Sequence, residues 1–142
     1  MDCPAFLLTL PSEPRMLSVA RTFVEAVCQA HHLETHLVHA LVLVTGEAFT
    51  NIVRHAHRNV PQAQMELRLQ LFPDAVALTF QDQGAPFDLS AIPELAPGEL
   101  RIGGRGIYLM RTLMDELTCQ PRPGQNGNTL RMVKRLPVRV AG

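Results

Sequence analysis

Cysteine is scarce in this 142-residue chain, and neither sign of charge is in excess. The three cysteines, Cys3, Cys28 and Cys119, are far apart and odd in number, so they suggest neither a disulfide framework nor a zinc site. This usage is typical of a reducing compartment. Thirteen basic residues balance thirteen acidic ones, so the positive charge typical of nucleic-acid binders is missing. The expected partners are small molecules or proteins, and not nucleic acid.

The sequence also shows no pattern typical of membrane insertion or secretion. No apolar run approaches the roughly 20 residues that cross a bilayer. The N-terminus lacks a basic segment followed by an apolar one. We therefore expect a cytoplasmic protein without a membrane partner. A length of 142 residues suits one compact domain, so residues 1–142 are expected to fold as a single unit.

Hydrophobic periodicity predicts a strand, two helices, a hairpin, a long loop, a third helix and two closing strands. The predicted strands cover residues 5–10, 64–72, 75–81, 117–121 and 129–136. Of the three predicted helices, the first ends near residue 32, the second covers residues 34–57 and the third covers residues 104–116. Ser12 is predicted to cap the first helix. This order predicts an α+β fold, a two-layer sandwich of helices on one sheet.

The second predicted helix carries a polar stripe on an otherwise apolar surface. Glu47, Asn51 and His55 follow one another at intervals of four residues and share a face. A carboxylate can act as a general base, and an amide oxygen is a hard ligand suited to Mg²⁺. Arg54 lies next to the stripe and could meet a phosphate. A solvated face, or an internal network that holds the neighbouring loop, would give the same spacing.

A second polar feature follows the predicted strand 75–81. In residues 82–86, an aspartate (Asp82) is followed by a glycine (Gly84) and a proline (Pro86), a composition that is common in turns. The same residues would also suit a base-binding site. The acid could accept a hydrogen bond from an exocyclic amine, and the glycine would let a flat ring lie close to the backbone.

The third feature is a run of glycines, Gly103, Gly104 and Gly106, interrupted by Arg105, immediately before the third predicted helix. Free N–H groups and the helix dipole make such a start an anion site. A flexible hinge accounts for the glycines as well. The run is not a Walker motif, because no Gly-Lys-Ser/Thr occurs in the chain, and Leu109 stands where a dinucleotide fingerprint needs its last glycine.

Taken in order, these segments resemble the motifs of the GHKL (Bergerat-fold) ATPase/kinase superfamily, and more narrowly those of the anti-sigma-factor serine/threonine protein kinases. The matching segments are residues 10–14, 46–56, 82–88, 103–116 and 127–135. Gly46 departs from the pattern, since a serine usually precedes the glutamate. The resemblance implies a single ATP-binding kinase domain over residues 1–142, with about three helices on a mixed, largely antiparallel sheet, the histidine-kinase-type ATPase fold.

The resemblance also implies a role for each matching residue, with ATP and Mg²⁺ as cofactors. Asn51 would be the Mg²⁺ ligand, Glu47 the catalytic base, and Asp82 the acceptor of the adenine amino group. Residues 89–102 would form a lid over the nucleotide. The other residues placed at the nucleotide are Arg54, His55, Gly84, Phe87, Gly103, Gly104, Arg105, Gly106, Ile107 and Thr129.

The function implied by the resemblance is a kinase that works by partner switching in transcription regulation. Such a protein holds a sigma factor and phosphorylates an anti-sigma-factor antagonist protein, commonly as a homodimer. One alternative is a nucleotide-dependent binding switch without kinase activity, although a pure binder would need no base at Glu47. Another is the stand-alone catalytic domain of a histidine kinase, which normally follows a phosphoacceptor helix.

Overall fold

The computed structural model describes residues 3–56, 63–84, 105–122, 124 and 127–137, with residues 55, 56 and 105 described by their backbone alone. The described strands are β1 (Ala5–Pro11), β2 (Gln64–Phe72), β3 (Ala75–Asp82), β4 (Glu116–Pro121) and β5 (Asn128–Arg135). The described helices are α1 (Leu17–Ala30), α2 (Thr35–Asn51) and α3 (Arg105–Leu113), with a short 3₁₀ turn at Pro14–Met16 and a π turn at Ile52–Ala56. The observed order of elements is the predicted one.

The five described strands form one sheet in the order β1-β2-β3-β5-β4. Every pairing among them is antiparallel. The α+β class with a helical layer on one sheet is thus confirmed. Across the described strands the sheet is antiparallel throughout rather than mixed. β3 lies at its centre, so its last residue, Asp82, is held between β2 and β5.

The core lies between the helices and one face of the sheet. Along β2, the alternate residues Met65, Leu67, Leu69 and Leu71 are buried, as the sequence alternation predicted. Leu78 and Phe80 of the neighbouring β3 extend this face of the sheet. Side chains from α1 and α2 fill the helical side of the core, among them Val24, Leu41, Val44 and Phe49. Each such buried side chain contributes about 1.5–3 kcal/mol of hydrophobic stabilisation, which fixes α2 firmly against the sheet.

The central helix is apolar over most of its length, as its sequence predicted. Thr35–Arg54 spans 20 residues with a mean hydropathy of 1.3, which by length and composition alone would suffice to cross a membrane. However, 56% of its most apolar window is buried inside the fold. A helix that is apolar on most sides is expected wherever it is covered by other elements of a folded protein. The apolar character of α2 is accounted for by the packing of the core.

The predicted cap at Ser12 is wrong. β1 runs on to Pro11, which still pairs with β2, and the N–H of Ser12 donates to the carbonyl of Ala63 at 2.7 Å. The 3₁₀ turn that follows has Glu13 at its N-cap, without a side-chain cap. The Ser12 hydroxyl is buried and finds no hydrogen-bond partner among the described residues. The strand therefore continues further than its apolar run, and the helix starts later.

Candidate functional site

Two residues of the predicted polar stripe lie on the last two turns of α2. Glu47 and Asn51 are both half-buried, one turn apart, on a helix that otherwise packs into the core. The Asn51 Nδ2 atom is buried and has no hydrogen-bond partner among the described residues. Such an atom costs free energy unless something else satisfies it, so this amide is a candidate ligand group. Arg54, one turn beyond the end of α2, is exposed.

The start of α3 lies against Glu47. A Cβ atom added to Gly106 would stand 2.6 Å from Oε2 of Glu47 and 3.5 Å from its Cβ. Any residue with a Cβ atom at this position would have to displace the carboxylate of Glu47. Gly106 thus lets α3 begin beside the carboxylate of α2. Ile107, which follows, is 1% exposed, and its side chain belongs to the core and anchors the helix.

Asp82 closes β3 with a buried carboxylate. The residue is 2% exposed, and its Oδ1 atom accepts two hydrogen bonds. One comes from the backbone N–H of Gly84 at 2.8 Å, and the other from Nδ2 of Asn128 at 3.1 Å. The first is the turn geometry expected of an aspartate before glycine. The second joins the end of β3 to the beginning of β5.

Gly127 brings the chain over Asp82 just before β5 begins. Its φ is 117°, in the region that favours glycine. A Cβ at Gly127 would overlap the carbonyl oxygen of Asp82 and lie 2.7 Å from the Cα of Gln83. The absence of a side chain here is therefore needed both for the backbone conformation and for the close approach to β3.

The neighbour of Asp82 on β5 is Asn128 rather than Thr129. In the register of the two strands, Asn128 is opposite Asp82 and Thr129 is opposite Gln81. Successive side chains of a strand point to opposite faces, so Thr129 lies on the face of the sheet opposite to Asn128. The register therefore favours Asn128 over Thr129 as the neighbour of the carboxylate, and the role of Thr129 stays a prediction. The buried positions Leu130 and Met132 set the inward phase of β5 and would have indicated Asn128.

The structure thus forms two polar clusters. Glu47 with Gly106 joins α2 to α3, and Asp82 with Gly84 and Asn128 joins β3 to β5. The remaining predicted residues fall outside what the structure describes: Phe87, Gly103, Gly104 and the predicted lid, residues 89–102, entirely, and His55 and Arg105 as side chains.

No described cluster could hold a metal ion by itself. Among the described residues there is no group of three or more histidine, cysteine, aspartate or glutamate side chains at metal-binding range. A single amide such as Asn51 is compatible with Mg²⁺, which is commonly held by one or two protein oxygens together with substrate phosphates.

Gly46, which departs from the resembled pattern, is covered by Arg21 of α1. A Cβ at Gly46 would lie 2.7 Å from Nη2 and 2.8 Å from Nε of that side chain. The glycine therefore permits the Arg21 guanidinium to lie on the backbone of α2, one residue before Glu47. A serine in its place would displace the flexible end of Arg21.

The fold and the two clusters together define an α+β domain whose polar groups gather at a helix start and at a strand end. A family model described as Histidine kinase-like ATPase domain matches residues 10–134. The chain belongs to this family, which confirms the resemblance seen in the sequence.

Several curated relatives carry the name Serine-protein kinase RsbW. The protein of Bacillus velezensis is 29% identical over 137 residues, which cover 91% of this chain and 84% of the relative. That of Bacillus subtilis is 28% identical with the same coverage. The protein of Listeria innocua is 28% identical over 118 residues, or 78% of this chain and 75% of the relative. The likeness therefore extends over most of both chains.

Proposed function

We propose that this protein is an ATP-dependent serine/threonine protein kinase. The observation that carries the proposal is the Glu47 carboxylate beside the start of α3 at Gly106, with Asn51 one turn further along α2. A domain that only bound nucleotide would have no need of a carboxylate there. Membership of the ATPase family and the kinase names of the relatives support the same reading.

The nucleotide would lie between the two polar clusters. The carboxylate of Asp82 is an acceptor suited to the amino group of adenine, with Gly84 leaving room for the ring. The phosphates would meet the free N–H groups at the start of α3, where Gly106 and Ile107 contribute backbone. Gly103, Gly104 and the side chain of Arg105 would complete this end of the site.

Mg²⁺ fits the amide of Asn51. A half-turn of the amide would present its oxygen in place of the unpartnered Nδ2, giving one hard ligand from the protein. When bound, the ion would neutralise the charge of the phosphates. Arg54 and Arg105 are proposed to add to that neutralisation, and His55 and Phe87 are proposed to border the nucleotide.

Glu47 would act on the protein substrate. Its carboxylate takes the proton of a serine or threonine hydroxyl while that oxygen bonds to the γ-phosphorus. The bond between the γ-phosphorus and the bridging oxygen breaks, and ADP leaves with its electron pair. The rest of the catalysis is positioning, which the close contact between α2 and α3 would provide.

The proposed partners are a sigma factor, which the protein would bind, and an anti-sigma-factor antagonist protein, which it would phosphorylate. We place both in the cytoplasm, and we propose that the kinase works as a homodimer. These assignments follow the family resemblance of residues 46–56, 82–88, 103–116 and 127–135.

The test is phosphoryl transfer from radiolabelled ATP to candidate antagonist proteins by the wild type, E47Q and E66Q. Glu66 lies on β2, on the outer face of the sheet, and serves as the matched control. We expect E47Q to bind ATP as the wild type does but to lose transfer by about 100-fold or more, as expected for a general base, while E66Q keeps it. Unchanged transfer in E47Q would exclude Glu47 as the base. ATP binding by the wild type without any transfer would favour the binding switch, and an acid-labile product would favour a histidine kinase.

A further inference from the structure

The hydrogen bond between Asn128 and Asp82 is buried and connects two strands, yet the proposed reaction does not use it. Asn128 is 2% exposed, as is Asp82. Its Nδ2 donates to Oδ1 of Asp82 at 3.1 Å, and the N–H of Gly84 donates to the same oxygen at 2.8 Å. Two donors on one oxygen fix the rotation of the carboxyl group.

Asn128 is itself held on both sides. It pairs with Asp82 on β3 and with Pro121 on β4. The preceding residue, Gly127, lies over the backbone of Asp82, and its carbonyl accepts a hydrogen bond from the N–H of Arg122 at 3.0 Å. The start of β5 is thus tied to both neighbouring strands, so the amide of Asn128 is a rigid donor.

We propose that Asn128 is a positioning residue for recognition of the 6-amino group of a purine. By holding Oδ1, it turns Oδ2 of Asp82 towards the amine. Both of the donors described above, the N–H of Gly84 and Nδ2 of Asn128, bind Oδ1. Because an ionised carboxylate only accepts hydrogen bonds, this arrangement selects an amine at that position and disfavours a carbonyl. The inference rests on the proposed function, since it takes an adenine nucleotide as the ligand of Asp82.

The experiment compares ATP with purine riboside 5′-triphosphate, which lacks only the 6-amino group. Calorimetry would give the affinity of both for the wild type, N128T and N128V. Thr and Val have the same shape, and only Thr can donate to Asp82. We expect the wild type to prefer ATP by roughly 10- to 100-fold, the range for a hydrogen bond to a charged group.

N128T should keep most of that preference, and N128V should reduce it to about threefold or less, by loss of the fixed carboxyl orientation. The affinity for the analogue should stay nearly the same in all three proteins, which a general loss of structure would not allow. If N128V melts below the assay temperature, N128S and N128A make the same comparison with smaller side chains.

The proposal fails if folded N128V keeps the wild-type preference for ATP over the analogue, or if its affinity for the two ligands falls equally. It also fails if T129V loses the preference while N128V does not, because the contact would then belong to the outer-face threonine. Equal affinity of the wild type for both ligands overturns this inference and leaves ATP binding in place. A wild type that binds neither removes the proposed function, and the inference with it.

Discussion

The carboxylate of Glu47 on α2 lies against Gly106 at the start of α3, so close that a Cβ on Gly106 would stand 2.6 Å from Oε2. A glycine before a helix is usually explained by the approach of a phosphate to the backbone. Here the glycine also accommodates the protein itself, because the carboxylate that we propose as the base lies against it. Gly106 therefore joins the phosphate-binding end of the site to its catalytic end.

G106A should affect turnover more than nucleotide binding. The added methyl group must push the Glu47 carboxylate away from its place, and a shift of about 1 Å in a reacting group can lower kcat by roughly 100-fold. ATP affinity should change only a few-fold. The measurements are kcat and the Kd for ATP. The control is T112A, because Thr112 is an exposed residue of the same helix. Equal losses in kcat and in ATP affinity would place Gly106 at the phosphates alone.

G127A should destabilise the fold strongly. Its φ of 117° is unfavourable for alanine, and the new Cβ would overlap the carbonyl of Asp82. We expect a loss of about 3 kcal/mol or more in the free energy of unfolding, measured by urea titration. Gly124 provides the control, because its φ of 65° carries strain, but its Cβ position meets nothing within 4 Å among the residues that the structure describes. G124A should cost about 1 kcal/mol, and similar losses in both variants would show that contact with Asp82 contributes nothing.

Much of the fold could be predicted because its signals are local. The alternation of Met65, Leu67 and Leu69 required a half-buried strand, and the short connection after Phe72 required a hairpin. The same holds for the pair Glu47 and Asn51, since four-residue spacing on a helix sets a shared face whatever the rest of the chain does.

The remainder depended on pairings between distant segments. Asn128 meets Asp82 because of the β3–β5 register, and one residue of shift exchanges the two faces of a strand. The family pattern favoured Thr129, which that register places on the outer face. The contact of Gly106 with Glu47, and that of Gly46 with Arg21, arise from helix packing that no single segment encodes.

Cys28 should make stability depend on pH in the alkaline range. The residue is fully buried on α1, and burial raises the pKa of its thiol to about 11. The unfolded thiol ionises at lower pH than the folded one, so its contribution is complete below about pH 8.5 and is lost as pH rises towards 11. The loss should reach about 2–3 kcal/mol. The measurement is the free energy of unfolding of the wild type and C28A, obtained by urea titration at several pH values between 7 and 11. This free energy should fall more steeply with pH in the wild type than in C28A. Parallel curves for the two proteins would show that the thiol is not the group responsible.

N51A should separate nucleotide binding from its dependence on metal. The buried Nδ2 atom of Asn51 has no partner among the described residues, so the fold gains little from this amide and N51A should melt near the wild-type temperature. If the amide oxygen is a ligand of Mg²⁺, calorimetry should show ATP binding that strengthens with Mg²⁺ in the wild type. In N51A the affinity for Mg–ATP should fall by roughly 10-fold or more, the cost of losing a charged-group contact, while binding without Mg²⁺ stays similar.

Q70A provides the control for N51A, because Gln70 lies on β2 opposite Ala5 at the outer face of the sheet, away from α2. An equal loss with and without Mg²⁺ in N51A would mean that the amide contacts the nucleotide directly. A large fall in melting temperature would mean that Asn51 holds the turn Ile52–Ala56 instead. The Mg²⁺ dependence alone distinguishes a metal ligand from both, since neither a direct contact nor a structural role responds to the ion.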